Sequence, residues 1–182
     1  HGWKLGEHGL WCKHTNFELD THSPLIVRVP GQASTGKPSD ALVEFVDIYP
    51  TLTDAAGLER LDHLEGSSLL PLLDDPDRSW KPAAFSQYPR GKMMGYSMRT
   101  DRYRYTEWVH RETKELGGRE LYDHQNDPGE NYNVAGRVAN KETVERMAEM
   151  MAAAVKAQRE EEDLEYKTGM NKEEREVAAK RQ

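Results

Sequence analysis

Apolar runs separated by turn-forming residues divide the first half of the chain into short elements. The run at residues 25–29 lies between two prolines and hardly alternates with polar residues, which predicts a short strand buried on both faces. Residues 47–57 have an aspartate at the start, Pro50 in the first turn and Gly57 at the end, a pattern typical of a capped helix. We expect one apolar face of this helix to pack inward, formed by Ile48, Leu52 and Ala55 or Ala56.

The second half of the chain changes from a two-residue period to a helical one. Segments rich in aromatic residues at 83–88, 95–100, 102–109 and 120–123 predict a half-buried antiparallel sheet. From about residue 141 to 162, apolar residues recur at spacings of three and four, which predicts a helix. We interpret its stripe as core; the members are Val144, Met147, Met150 or Met151, Ala154 and Val155.

A polar break containing proline, Asp74–Arg78, predicts a domain boundary. We expect residues 1–75 to be the C-terminal end of a large α/β domain. Residues 76–160 then form a small α+β subdomain with an antiparallel sheet and a C-terminal helix. Residues 161–182 are a charged tail that cannot bury enough apolar surface to order firmly.

Charge and cysteine content exclude several classes of protein. The 182 residues carry a formal net charge of −7, which argues against non-specific binding to nucleic acid. No apolar run approaches the ~20 residues that a bilayer-spanning helix needs. The single cysteine, Cys12, rules out an internal disulfide and a cysteine-based zinc site.

The first thirteen residues concentrate chemically active groups. Glycines at 2, 6 and 9 allow turns that other residues resist, and the same thirteen residues contain two histidines, two indoles and Lys13. We interpret residues 1–13 as a loop that carries polar groups to a site, although a plain glycine-rich surface loop has the same composition.

The pattern His-Gly-Trp-x-Leu-Gly-Glu-His-Gly-x-Trp-x-Lys at residues 1–13, followed by Thr-His-Ser-Pro-Leu-Ile at 21–26, resembles the late active-site segment of the type I sulfatases. Within that alkaline phosphatase-like superfamily it is most similar to the iduronate 2-sulfatase group. The resemblance implies that His1 holds a calcium ion together with an aspartate immediately before it. Lys13 matches the lysine that contacts the sulfate, and we predict that Trp3 forms a wall of the substrate pocket.

The resemblance also implies what this chain lacks. The family nucleophile is a formylglycine made from cysteine in a Cys-x-Pro-Ser-Arg context, whereas Cys12 precedes Lys-His-Thr. We therefore expect a fragment that needs the missing N-terminal part of its catalytic domain and is inactive alone. The implied substrate is a sulfated saccharide such as sulfated iduronate. The implied compartment is periplasmic or secreted in bacteria and lysosomal in animals.

Other polar residues are interpreted as structural or as background. Glu7 and His8 are adjacent in sequence and rarely reach one partner together, and His14 and His22 lack partner spacing. Arg99 and Arg104 are predicted to lie on opposite sheet faces, each more plausibly in a structural ion pair than on a ligand. Charge alone suggests that Arg90 and Lys92 meet a sulfated sugar.

Two rival functions stay open on the sequence. One is a phosphate or phosphonate ester hydrolase of the same superfamily. The other is a non-catalytic interaction module that uses the helical tail.

Overall fold

The computed structural model describes residues 3–61 and 63–168, with side chains up to residue 156. The described residues divide into two compact units. The first comprises the stretch ending at residue 28 together with 40–42 and 79–147, and the second comprises 29–39, 43–78 and the chain from 148 onward. The boundary predicted after residue 75 stays a prediction.

The first unit is built on a four-stranded antiparallel meander. Two short strands, β1 (Lys4–Leu5) and β2 (Trp11–Cys12), precede it in the chain and pair with each other. The four strands of the meander lie side by side in chain order, and they are β3 (Ala84–Arg90), β4 (Met93–Arg99), β5 (Tyr103–His110) and β6 (Leu116–Asp123). All four predicted strands and the turn at 100–102 are confirmed.

The two faces of this sheet differ in character. One face buries Met98, Tyr105 and Leu121 completely. On the other face, Ser97 and Thr106 are buried, and the Thr106 hydroxyl donates to Ser97 Oγ at 2.9 Å. This second face therefore buries polar side chains that are paired with each other.

The predicted orientation of the two strand arginines is wrong. Arg99 and Arg104 are cross-strand partners in the β4–β5 ladder, so their side chains share the polar face. Counting alternate positions from Arg99 to Arg104 assumes one continuous strand. The turn at 100–102 breaks that strand, and directly opposite residues of an antiparallel pair have their side chains on the same face. The expected structural pairing of both arginines is confirmed, because both form ion pairs with Glu18.

The long helix α4 (Lys141–Thr168) confirms the predicted C-terminal helix. Val144, Met147 and Met151 are buried, as the core interpretation of the stripe requires, whereas Val155 is 40% exposed. Residues 161–168 of the predicted tail belong to this helix, and residues 169–182 lie outside the described part of the chain. No helix within the described residues is long and apolar enough to cross a bilayer.

The strand predicted at 25–29 is not formed. No described segment pairs with it, and Ile26 is 92% exposed where burial on both faces was expected. An apolar run becomes a strand only where a neighbour completes its ladder of hydrogen bonds.

The second unit contains the predicted helix as α2 (Ile48–Ala55), preceded by a 3₁₀ turn at Phe45–Asp47 and accompanied by α3 (Leu70–Asp74). Gly57 follows it with φ of +65°. The predicted inward face is wrong, because Leu52 is 61% exposed while the buried positions are Pro50, Thr51 and Thr53. Thr51 Oγ1 accepts from the amide of Leu69 at 2.8 Å, so a hydrogen bond contributes to fixing this face.

Asp47 has a different capping role from the predicted one. Its carboxylate accepts from the amides of Glu44 and Ser67, each at 2.8 Å, and makes no cap bond to α2. It therefore closes the preceding 3₁₀ turn and ties it to a loop of the same unit.

Candidate functional site

The opening segment contains a small hairpin that buries a charged side chain and exposes apolar ones. β1 and β2 pair antiparallel with Lys4 opposite Cys12 and Leu5 opposite Trp11. Lys4 is fully buried, whereas Leu5 and Trp11 are 66% and 70% exposed. A buried ammonium needs a counter-charge, so a partner must lie beneath the hairpin.

That partner is Asp20, in the short helix α1 (Glu18–Thr21). Its Oδ2 accepts from Lys4 Nζ and from the Thr15 hydroxyl, and Lys4 Nζ also donates to Thr15 at 3.2 Å. The second carboxylate oxygen of Asp20 is buried and has no hydrogen-bond partner among the described residues. This buried ion pair fixes the hairpin to the segment that follows it.

Lys13, the predicted sulfate contact, follows β2 directly in a stretch of unusual backbone. The residues on either side of it, Cys12 and His14, have φ of +100° and +80°. Left-handed backbone is costly for residues with a Cβ, and such strain concentrates at functional sites. Lys13 is half-buried.

Of the other two predicted site residues, the structure describes Trp3 but not His1. His1, the predicted metal ligand, lies outside the described residues. Trp3 is 63% exposed. Trp3 immediately precedes β1 and Lys13 immediately follows β2, so both residues flank the open end of the hairpin. Their joint role at one site stays a prediction.

Glu7 and His8 have the structural roles expected of them. Glu7 Oε2 accepts from the amide of Leu5 at 2.6 Å, which closes the hairpin turn. The His8 ring stacks on Phe17 with centroids 3.8 Å apart, and Phe17 meets Tyr122 of β6 edge-on at 5.7 Å. These rings connect the opening segment to the sheet.

A buried ion cluster makes a second connection between the same two regions. Glu130 is 2% exposed and adopts φ of +54°. Its Oε1 accepts from Arg104 Nε at 2.5 Å and lies 2.8 Å from His124 Nε2, while its Oε2 accepts from the amide of Glu18 at 2.7 Å. Burial acts to raise the pKa of Glu130, but the hydrogen bond from His124 and the charge of Arg104 lower it overall.

Glu18 completes this cluster from the opening segment. Its Oε2 accepts from Arg104 and from Arg99, the latter at 3.3 Å, and Arg104 also donates to the Thr21 hydroxyl at 3.0 Å. Sheet arginines therefore hold both the side chain of Glu18 and, through Glu130, its backbone.

Glu18, His124 and Glu130 are close enough together to be considered as a cation site. Two observations argue against that role. Each carboxylate already faces a guanidinium, and both oxygens of Glu130 are occupied. Calcium also prefers a shell of six to eight oxygens. The cluster fits an ion-pair network, and no calcium chemistry is assigned to it.

A cleft opens between the loop after Lys13 and the polar face of the sheet. It opens to solvent, and its inner space of about 20 Å³ has room for about one water molecule. His14 stacks against Tyr88 at its rim, with centroids 5.9 Å apart. The residues that define its chemistry are His14, Tyr88, Arg90, Trp108, Glu120 and Tyr122.

Glu120 is the carboxylate among the residues that line this cleft, together with the guanidinium groups of Arg90 and Arg104. Burial raises its pKa, against smaller opposing effects of hydrogen bonds from Trp108 and Tyr122 and of the Arg90 charge. Asn16 forms the floor, where its Nδ2 donates to the carbonyl of Gly95 at 2.9 Å.

Known proteins share most of this sequence segment. The family described as N-sulphoglucosamine sulphohydrolase, C-terminal, matches residues 6–158. The chain belongs to this sulfatase family. Human iduronate 2-sulfatase is 33% identical over 74% of this chain, and N-acetylglucosamine-6-O-sulfatase of Bacteroides thetaiotaomicron is 29% identical over 89%. The predicted resemblance is confirmed.

Solved structures agree with the family and with the predicted alkaline phosphatase-like fold class. A protein in complex with its substrate D-glucosamine-2-N,6-O-disulfate matches with TM-score 0.73 and 28% identity over 89% of this chain. Phosphonate monoester hydrolase of Agrobacterium radiobacter matches with TM-score 0.74 and 27% identity over 87%. The sulfatase chain covers 36% and 29% of the two curated relatives above and 33% and 34% of these structures, about a third of each.

Sequence reasoning missed several residues that organise this sulfatase segment. His14 was treated as background, yet it lines the cleft. Lys4 and Glu130 carried no signal, because exposed lysines and glutamates are the usual case and burial cannot be read from residue type. The chain turns at 127–130, where the amide of Glu130 donates to the carbonyl of Asp127 at 3.0 Å, and local sequence does not indicate the ion cluster that this turn supports.

Proposed function

We propose that the intact protein hydrolyses sulfate esters of a sugar. The observation that supports this most directly is Lys13, which sits between two residues of left-handed backbone within the segment that the sulfatase family matches. Strained backbone persists where the surrounding structure fixes it, and here the hairpin, the buried Lys4–Asp20 pair and the ion cluster fix it together.

In this proposal Lys13 is the catalytic residue that touches the sulfate. Hydrolysis of a sulfate monoester moves negative charge onto the leaving and peripheral oxygens, and a preorganised cation stabilises that charge. An ammonium is a compact charge that can follow one sulfate oxygen. In this proposal the hairpin would fix the backbone of Lys13, so that less conformational entropy is lost when its ammonium binds the sulfate.

Trp3 and His1 complete the part of the site that this chain supplies. The exposed indole of Trp3, which like Lys13 flanks the open end of the hairpin, would bound the pocket that receives the ester. His1 would contribute to a calcium site together with carboxylates from outside this chain. The ion supplies positive charge under the sulfate, and hard calcium prefers oxygen ligands, so most of the shell must come from those carboxylates.

The nucleophile also lies outside this chain in the proposal. A formylglycine in the preceding part of the catalytic domain would attack sulfur, and residues 1–182 alone would not turn over. The proposed substrate is a sulfated sugar such as sulfated iduronate, in line with the human relative named iduronate 2-sulfatase. A periplasmic, secreted or lysosomal location stays a prediction.

A second candidate has support from one observation. The phosphonate monoester hydrolase matches as well in structure as the disulfate complex does. A phosphonate monoester would use the same cations, so the C-terminal segment does not distinguish the two reactions. The identity of the upstream nucleophile does.

The test compares the two ester classes on the full-length protein. We expect turnover of aryl sulfate and of sulfated monosaccharides, with a phosphonate monoester turned over more slowly. Preference for the phosphonate ester would replace the proposal with the second candidate. Turnover of an aryl sulfate by residues 1–182 alone would contradict the upstream nucleophile.

A further inference from the structure

The buried residue Lys4 is connected to the chain on both sides of Lys13. It lies in β1 opposite Cys12, the residue that immediately precedes Lys13. Its Nζ donates to Thr15 Oγ1 at 3.2 Å, and Thr15 comes two positions after Lys13. Lys4 therefore holds the chain before Lys13 through the ladder of the hairpin and the chain after it through a hydrogen bond.

Asp20 completes this connection with its carboxylate. Its Oδ2 accepts from Lys4 Nζ and from the Thr15 hydroxyl, and the Thr15 oxygen in turn accepts from the amide of Phe17 at 3.2 Å. Lys4 is fully buried and Asp20 is 8% exposed. Hydrogen bonds between ionised groups are strong and directional, and burial strengthens them. Residues 15–17 are thereby held against β1.

The backbone around Lys13 needs such support. Cys12 and His14 have φ of +100° and +80°, a conformation that a residue with a Cβ keeps only where its surroundings fix it. The hairpin offers little apolar burial of its own, because the large apolar residues of its strands, Leu5 and Trp11, are 66% and 70% exposed. The buried ion pair therefore takes a large share in fixing this backbone.

A buried ion pair differs from apolar packing in what it supplies. Desolvation of two charges offsets most of their attraction, so the net gain in stability is small. The attraction depends on distance and direction, whereas apolar burial does not depend on direction. Direction matters for a catalytic cation, because a displacement of about 1 Å can cost on the order of 10²-fold in rate.

We propose that Lys4 and Asp20 are positioning residues for Lys13. They fix the backbone from which the Lys13 ammonium reaches the sulfate, and they act on the reaction only through that ammonium. The inference rests on the proposed function, in which Lys13 contacts the sulfate.

The experiment measures hydrolysis of an aryl sulfate by the full-length protein, at a temperature at which every variant is folded. We expect Lys4→Met to lower kcat about tenfold and to change KM by less than about twofold, since the ammonium is misplaced and not removed. The double variant Lys4→Met with Asp20→Leu has no unpaired buried charge, so it should recover much of the stability. Its kcat should stay as low as that of Lys4→Met.

A double-mutant cycle tests whether the pair acts through Lys13. In the Lys13→Ala protein there is no ammonium to position, so Lys4→Met should lower kcat no further. A general weakening of the fold would instead lower kcat by the same factor with and without Lys13.

Two further variants serve as controls. Met98→Ala truncates a completely buried side chain on the apolar face of the sheet, which lowers stability by a comparable amount. It makes none of these hydrogen bonds and should keep kcat within about twofold of wild type. Thr15→Val keeps the ion pair and removes the hydroxyl between its members, and it should lower kcat about threefold. This milder variant keeps the test valid if the double variant fails to fold.

The outcomes separate the inference from the proposed function. A wild-type protein that cleaves no aryl sulfate refutes the proposed function itself. If the wild type is active and the double variant regains both stability and kcat, the pair contributes packing alone and the inference is overturned. A tenfold loss from Lys4→Met that persists in the Lys13→Ala protein also overturns it, because the pair then acts independently of Lys13.

Discussion

The opening segment, residues 3–23, and the four-stranded sheet belong to the same unit but place their side chains by different rules. The sheet buries Met98, Tyr105 and Leu121 and follows ordinary two-residue alternation. The opening segment buries Lys4 and leaves Trp3 and Trp11 largely exposed. The contrast shows where the chain is organised by apolar burial and where it is organised by buried charge.

Lys13→Ala is the most severe test of the opening segment as a site. Removing one preorganised charge-stabilising group costs about 10²–10³-fold in kcat in comparable sites, and we expect a loss of that size for sulfate ester hydrolysis by the full-length protein. The control is Lys37→Ala, an exposed lysine of the second unit. Activity within threefold of wild type would remove Lys13 from the reaction.

Glu130→Ala tests whether the two regions depend on the buried ion cluster. The change removes one of the two carboxylates that Arg104 pairs with, Glu18 being the other, and removes the hydrogen-bond partner of His124, so we expect a cost of about 3 kcal/mol in the free energy of unfolding. Glu149→Ala, at an exposed position on α4, should cost less than about 0.5 kcal/mol. Denaturant unfolding of both variants measures the difference. Equal stability would mean that the cluster contributes nothing net.

Lys4→Met asks whether the hairpin depends on its buried charge. Methionine keeps an unbranched side chain but leaves Asp20 without its ion pair, so we expect a loss of about 3 kcal/mol. Adding Asp20→Leu should recover much of it, because replacing both members of a buried pair is often neutral. A double variant less stable than Lys4→Met would show that the pair is worth more than apolar packing at this place.

Much of the sheet could be predicted from sequence because each strand shows a strand-like pattern of residues within a short window. Tyr103 to Val109 alternate, and a turn separates them from β4, so each strand is visible within its own window. The strand expected at 25–29 failed for the opposite reason, since a strand without a partner has the same local pattern. The ion cluster was invisible because Glu18 and Glu130 are 112 positions apart.

The site divides in the same way. The role of Lys13 is predicted from its place in a family pattern, which a sequence displays directly, and it stays a prediction. The cleft was not found, because it is formed by residues from the loop and from three strands whose proximity depends on the register of the sheet. Arg99 and Arg104 were placed on opposite faces by counting along the chain, and the turn between their strands reverses that result.

Gly95→Ala measures how closely the two regions fit together. Both Gly95 and Gly118 are cross-strand partners of Trp108, but a Cβ at Gly95 would lie 2.8 Å from the amide of Asn16 and from the indole, whereas one at Gly118 meets nothing within 4 Å. We expect Gly95→Ala to cost about 1.5 kcal/mol of unfolding free energy and Gly118→Ala to be nearly neutral. Equal costs would mean that the loop containing Asn16 moves away from the added methyl group at no cost in stability.

The smallest effect should come from an ion pair at the surface of the sheet. The hydrogen bond from Arg102 is the main reason that the pKa of Asp123 is lowered to about 2. A lowered pKa stabilises the folded state above the unfolded value of 3.8, and that contribution is lost as the pH falls toward 2. The stability difference between wild type and Asp123→Asn should therefore be present at neutral pH and vanish near pH 2. A difference that persists unchanged at pH 2 would contradict the role of the charge.

Contact between Glu18 and Glu130 also dictates an order of assembly. The amide of Glu18 finds its acceptor only after the chain has passed through the whole meander and the turn at 127–130. Closing a loop of that length comes late, since local hairpins form faster than distant pairings. The opening segment would thus dock on the sheet among the last events of folding, after the sheet itself has formed.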